Sequence, residues 1–110
     1  MKTMSDLQPF ASLLRQEQKT AVIQGGFTWE IHKTNYEVTV KVGNKFARVD
    51  IGNSGRYMVD LETGEIYGIK AYGVVHRGHR FGTLDTIHEW DWIGYRAHPL
   101  SREFASMPVN

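Results

Sequence analysis

The chain has 110 residues, 41% of them hydrophobic and 23% charged, which is the size and composition of one ordinary globular domain. Thirteen Lys and Arg residues against twelve Asp and Glu residues give a formal net charge of +1, which excludes binding to nucleic acid by overall charge. The absence of cysteine excludes disulfides, thiolate catalysis and cysteine-based zinc sites. We expect one cytoplasmic domain over residues 1–110, because neither an export signal nor an apolar stretch long enough to cross a membrane is evident.

The first predicted element is an amphipathic helix within residues 1–25. Ser5 and Gln8 have the spacing of a capping box, which would place Pro9 in the first turn. The pair Gly25-Gly26 would end the helix. The buried stripe is predicted from apolar residues at helical spacing: Leu7, Phe10, Ala11, Leu14, Ala21 and Val22.

Residues 26–70 predict an antiparallel meander, because apolar and polar residues alternate between turn-forming clusters. The clearest alternation places Val38, Val40 and Val42 on one buried face. The predicted strands are residues 27–32, 36–42, 45–51, 56–61 and 65–69.

Regular periodicity fades after residue 70, where Gly73, Gly78 and Gly82 interrupt the chain. We therefore expect residues 71–110 to form a loop-rich segment, with a short helical turn within residues 84–92 and a loosely held tail. The predicted fold class is α+β, with the N-terminal helix packed on a meander of about five strands and an irregular C-terminal segment.

The stretch YGVVHRGHRFGTLDT, residues 72–86, overlaps a run from Ile66 to Leu84 that has no acidic residue. Basic side chains among aromatic rings could bind phosphates and stack on bases, or could contact an acidic protein. The alternative is an ordinary solvated edge. The candidate binding residues are Lys70, Tyr72, His76, Arg77, His79, Arg80, Phe81, Trp90 and Trp92.

Trp90 and Trp92 would lie on the same side of an extended segment. Because aromatic side chains contribute mainly through buried area, the sequence favours a role for both in closing the end of the sheet. A ring left exposed would instead be a contact residue.

The same region contains side chains of the types that bind zinc or manganese, within 16 residues: His76, His79, Asp85, His88, Glu89 and Asp91. However, no known ligand spacing is matched, and Arg77 and Arg80 would repel a cation. We predict no metal site and no cofactor. A histidine pair could still act as general acid and base in metal-free RNA cleavage.

Residues 56–92 contain YMVDLETGEIYGIKAYGVVHRGHRFGTLDT, in which TGEIYGIK and GTLDT resemble segments of small uncharacterised proteins of bacteriophages and other mobile elements. The resemblance implies an accessory protein in the cytoplasm of a bacterial host cell. Such proteins include inhibitors of host defence, among them anti-CRISPR proteins, which occupy a partner's nucleic-acid surface. It implies no catalytic residue, and the near-neutral charge departs from the acidity of proteins that mimic DNA.

The sequence therefore favours a non-enzymatic binding protein of phage or mobile-element type, with a host protein or ribonucleoprotein complex as its partner. Common enzyme motifs such as GxGxxG, a Walker loop or a nucleophile elbow are absent from the sequence. Two alternatives remain open: a single-stranded nucleic-acid-binding module, and a nuclease that depends on histidine or on a metal ion.

Overall fold

The structure, a computed structural model, describes residues 1–71, 74–93 and 97–100. The helical elements are α1 (Met4–Gln24), α2 (Trp29–His32) and two 3₁₀ helices (Lys33–Tyr36 and Leu84–Glu89). The strands are β1 (Val38–Val42), β2 (Phe46–Ile51), β3 (Ser54–Asp60), β4 (Glu65–Ala71), β5 (Val74–Thr83), β6 (Trp90–Asp91) and β7 (His98–Pro99).

Strands β1 to β5 form one antiparallel sheet in chain order, and β6 pairs with β7 in a separate two-stranded sheet. Helix α1 packs on one face of the large sheet. This arrangement confirms the predicted α+β class, a helix followed by a five-stranded antiparallel sheet and an irregular C-terminal segment. Among the described helices, none has the length and hydrophobicity needed to cross a membrane.

The N-cap of helix α1 lies two residues before the predicted one. Thr3 is the N-cap residue, and the Asp6 carboxylate accepts hydrogen bonds from its backbone N–H (2.8 Å) and its hydroxyl (3.1 Å). These hydrogen bonds lower the pKa of Asp6. The predicted box at Ser5 and Gln8 is therefore wrong, and Pro9 lies inside the helix beyond its first turn. Gly25 is the C-cap, as predicted.

The strand predicted over residues 27–32 is wrong, because this segment contains the short helix α2. The carbonyl oxygen of Thr28 accepts hydrogen bonds from the N–H groups of Ile31 (3.2 Å) and His32 (3.3 Å). The alternating apolar residues have no sheet face to cover, since Phe27 is 59% and Ile31 74% exposed. The large sheet consequently begins at β1.

The fifth strand of the sheet is β5, which lies where a glycine-interrupted loop was predicted. Pairing along β4 keeps residues 74–83 extended. Irregularities in the register accommodate the difference in length between β4, with 7 residues, and β5, with 10. The expected loop is thus wrong for these residues, whereas the helical turn expected within residues 84–92 is confirmed by the 3₁₀ helix. The predicted tail covers residues 98–110. His98–Pro99 pair with β6 as strand β7, and residues 101–110 lie outside the described residues.

The hydrophobic core lies between α1 and the sheet. Val38 is buried and Val40 is partly buried against the core, but Val42 is 43% exposed near the end of the edge strand β1, so its predicted burial is wrong. The fully buried side chains with the largest volumes are Trp92, Tyr57, Phe10, Leu7, Leu14, Leu61, Ile66, Val49 and Val59. Except for Trp92, they come from α1, β2, β3, β4 and the β3–β4 turn. The interface between α1 and the sheet is therefore the centre of the fold.

Candidate binding cleft at the β4–β5 edge

A wide irregularity in β5 brings both candidate histidines to the helix-facing side of the sheet. Tyr67 and Gly68 are consecutive on β4, but their partners Arg80 and His76 are separated by three residues on β5. In a regular strand, two residues three positions apart lie on opposite faces, so His76 and His79 would be separated. The irregularity in β5 brings them to the same face. In the structure their rings are perpendicular, with centroids 3.9 Å apart.

Gly68 provides room for this arrangement. A β-carbon at this position would lie 3.2 Å from the Cβ atom of His79 and 3.5 Å from the ring of Phe81. His79 therefore packs across bare backbone of β4. The lack of a side chain at Gly68 shapes the floor of a cleft beside the histidines.

The cleft has a volume of about 230 Å³ and its described lining includes no carboxylate. Lys70 and the two histidines, all predicted candidates, meet there with Arg56, which sequence reasoning missed. The full lining is Gly55, Arg56, Tyr57, Gly68, Ile69, Lys70, His76, His79 and Phe81. With one guanidinium, one ammonium group and two imidazoles, the cleft favours an anion.

Tyr57 joins the cleft to the core. Its side chain is 1% exposed, and burial raises the pKa of its hydroxyl to about 12, although the adjacent Arg56 guanidinium acts in the opposite direction. The phenol therefore stays neutral at physiological pH. It does not add negative charge to the cleft.

Arg77 and Arg80 point to the opposite face of the sheet. The Arg77 guanidinium lies 5.7 Å from the ring centroids of both Phe46 and Tyr67, in cation–π geometry. Arg80 forms an ion pair at 2.9 Å with Glu65, which lies just before the acid-free run in the sequence. Glu65 also accepts a short hydrogen bond from the Tyr67 hydroxyl, which raises the pKa of Tyr67.

Two of the candidate aromatic residues belong to the core. Phe81 is 7% and Trp92 0% exposed, and the Trp92 indole N–H donates to the carbonyl of Ile87 at 2.7 Å. Both rings therefore pack in the core, and Phe81 also lines the cleft, so their contact with a partner stays a prediction. The burial of Trp92 agrees with its predicted role in closing the end of the sheet. Trp90 is partly buried and packs against the same core. Tyr72 lies outside the described residues.

The predicted metal-ligand types do not converge in the part of the chain that the structure describes. No group of three or more His, Asp or Glu side chains there is placed to hold a metal ion. His76 and His79 are in contact, and their other cleft neighbours include the cations Arg56 and Lys70.

Arg56 could not be placed in the site from the sequence, because its position depends on a second irregularity, between β2 and β3. Val49 pairs with Tyr57 and Asp50 with Gly55, so the register shifts by one residue at Arg56. A local signal was the adjacent Gly55, which is common at such interruptions. Comparison with known proteins adds no assignment: no family model, curated protein or solved structure matches the chain.

Proposed function

We propose that the chain is a non-enzymatic binding protein that engages a protein or ribonucleoprotein partner through the cleft at the β4–β5 edge. The observation that carries this proposal is the convergence of Arg56, Lys70, His76 and His79 with no carboxylate in the described lining. Such a surface attracts an anionic group and repels a cationic one, which gives both affinity and selectivity.

The partner class that we propose is a bacterial host-defence complex such as CRISPR–Cas, inhibited by a phage or mobile-element protein. The sequence resemblance of residues 56–92 supports this choice. A ribonucleoprotein offers both acidic protein surfaces and phosphates, either of which is compatible with the positive cleft.

The geometry of the histidines favours binding over RNA cleavage. A general acid and a general base must reach the leaving and attacking oxygens from different sides of the phosphate. The His76 and His79 rings contact each other at a centroid distance of 3.9 Å, which leaves no space for a phosphate between them.

Single-stranded nucleic-acid binding remains the second candidate function, because the partly exposed imidazole rings provide faces on which a base can stack. Salt dependence separates it from a protein interface. Binding to a single strand should weaken steeply between low and moderate salt through loss of counterion release, whereas a packed protein interface should weaken far less.

Charge reversal in the cleft tests the proposed function. Immobilised wild-type protein captures partners from bacterial lysate, with and without nuclease treatment, and the captured component is purified for affinity measurements. Lys70→Glu should lower the affinity at least about tenfold, because like charge replaces opposite charge at the contact. Because Lys70 is exposed, the melting temperature of the Lys70→Glu protein should differ little from that of the wild type.

Lys41→Glu is the matched control, since Lys41 is also exposed but lies on the other edge strand, β1. Its affinity should stay within about twofold of wild type. Unchanged binding by a folded Lys70→Glu protein would overturn the proposal. So would loss of binding in Arg77→Glu alone, because that result would place the contact on the opposite face of the sheet.

A further inference from the structure

The cleft at the β4–β5 edge differs in charge from two other clefts in the described part of the chain. One, of about 320 Å³, includes Glu37 together with Arg15 and Lys33. The other, of about 200 Å³, is lined by mainly apolar and aromatic residues near the end of α1. The β4–β5 cleft alone among these three combines several nitrogen-bearing side chains with no described carboxylate. Its ligand should therefore carry concentrated negative charge.

The number of potential donors favours a phosphate over a carboxylate. Arg56 and Lys70 supply a guanidinium and an ammonium group, and His76 and His79 supply further ring nitrogens. A phosphate monoester carries up to two negative charges and three strong acceptor oxygens, so it can use several of these donors together. A carboxylate has one charge and two oxygens and would leave part of the set unused.

The size of the cleft favours one terminal group rather than an extended ligand. Its volume of about 230 Å³ is below the roughly 300–1,000 Å³ typical of pockets for drug-sized molecules. Tyr57 and Phe81 are too deeply buried to offer their ring faces, at 1% and 7% exposure. The partly exposed imidazoles at the wall remain available to a planar base outside the cleft.

We propose that this cleft binds a phosphomonoester, namely the terminal phosphate of a nucleotide or of an oligonucleotide end. The inference rests on the proposed binding function and deepens it, because it names the group that a ribonucleoprotein partner would insert. The phosphate lies among Arg56, Lys70 and the two histidines, and the nucleoside lies at the mouth against an imidazole ring. This second contact favours a nucleotide over a phosphorylated protein side chain.

Titration of the full chain followed by NMR tests the site directly. The probes are adenosine 5′-monophosphate, inorganic phosphate, adenosine and phosphoserine, each added to the same labelled protein. We expect the monophosphate and inorganic phosphate to shift the backbone amide signals of Gly55, Gly68 and Lys70 in a saturable manner. Adenosine should not, and the monophosphate should bind more tightly than inorganic phosphate or phosphoserine.

Substitution of the cleft residues locates the phosphate. Lys70→Gln should weaken binding of adenosine 5′-monophosphate at least about tenfold, because one charged donor is lost. His76→Gln provides a second, independent variant that keeps a polar side chain. Lys41→Gln removes the same charge from β1 and should leave the affinity within about twofold. Melting temperatures measured alongside confirm that each variant is folded.

The proposal is overturned by the lack of saturable shifts with the monophosphate, or by equal affinities of the Lys70→Gln and Lys41→Gln proteins. Tighter binding of phosphoserine than of the monophosphate would overturn the nucleotide assignment in favour of a phosphorylated protein. If Lys70→Glu loses the captured partner but no phosphate probe binds, this inference fails and the proposed function stands. If the phosphate probes bind but a folded Lys70→Glu protein keeps its captured partner, the proposed function fails and the phosphate site stands.

Discussion

At the scale of single residues, Tyr57 is the point where the core and the cleft meet. Its ring packs against the rings of Phe10, Phe81 and Trp92 at centroid distances of 5.7, 5.7 and 5.2 Å. The hydroxyl sits in surroundings that disfavour its ionised form, which raises its pKa from an ordinary 10 to about 12. This proton therefore contributes to the pH dependence of stability in alkaline solution.

We predict that the free energy of unfolding falls less steeply between about pH 10 and 12 in Tyr57→Phe than in the wild-type protein. In that interval the unfolded wild-type chain loses a proton that the folded chain keeps, so the free energy of unfolding falls by about 2 to 3 kcal/mol as pH rises. Phenylalanine has no such proton. Urea unfolding of both proteins at a series of pH values measures the difference, and parallel curves for the two proteins would contradict the assignment.

Residue types alone identified several side chains that line the cleft, but not which candidates face the other side of the sheet. The acid-free run identified Lys70, His76 and His79, which do share the cleft, but it placed Arg77 and Arg80 beside them. The side of a strand that a residue faces depends on the register with its neighbour, and one irregularity reverses it. No local pattern in the sequence encodes how β5 pairs with β4.

At the scale of elements, alternation of apolar and polar residues predicted the strands that have a buried face. Strands β1 to β4 were found because α1 covers one side of the sheet they form. The same alternation at Phe27 and Ile31 predicted a strand wrongly, since a short helix closed by local hydrogen bonds accommodates these residues without burial. Strand β5 was missed because its glycines suggested a loop, whereas pairing with β4 defines it.

Gly52 fixes the position of the 3₁₀ segment against the β2–β3 turn. Its φ angle is +62°, and a β-carbon there would lie 2.3 Å from the carbonyl oxygen of Asn35. Its N–H donates to the carbonyl of Glu37 at 2.8 Å. We predict that Gly52→Ala lowers the free energy of unfolding by at least about 2 kcal/mol, because both the backbone conformation and the close approach oppose a side chain.

Gly78→Ala is the control for this prediction. Gly78 has no positive φ, and the nearest described atom to an added β-carbon belongs to His76 at 3.8 Å. We expect its stability to be unchanged or raised by up to about 1 kcal/mol, since alanine reduces the freedom of the unfolded chain. Urea unfolding compares the two variants, and similar losses in both would mean that the tight contact at Asn35 does not restrict Gly52.

At the scale of the whole molecule, residues 84–93, which follow β5, contribute to the same core as α1 and the sheet. Trp92 is fully buried, and its ring lies 4.7 Å from that of Phe10 on α1 and 5.2 Å from that of Tyr57 on β3. The chain therefore connects its first helix, its central strand and its C-terminal segment through one aromatic cluster. Composition predicted that the tryptophan would be buried but could not identify its neighbours, which are distant in sequence.

We predict that Trp92→Ala lowers the free energy of unfolding by about 3 to 5 kcal/mol, because it leaves a large cavity and removes the indole hydrogen bond to Ile87. That loss is a large part of the roughly 5–15 kcal/mol that stabilises an ordinary domain. Ile31→Ala provides the contrast, since Ile31 is 74% exposed on α2 and its loss should cost no more than about 0.5 kcal/mol. Urea unfolding of both variants measures the two costs. A small loss in Trp92→Ala would separate the C-terminal segment from the core, and a large loss in Ile31→Ala would restore the buried strand that the sequence predicted there.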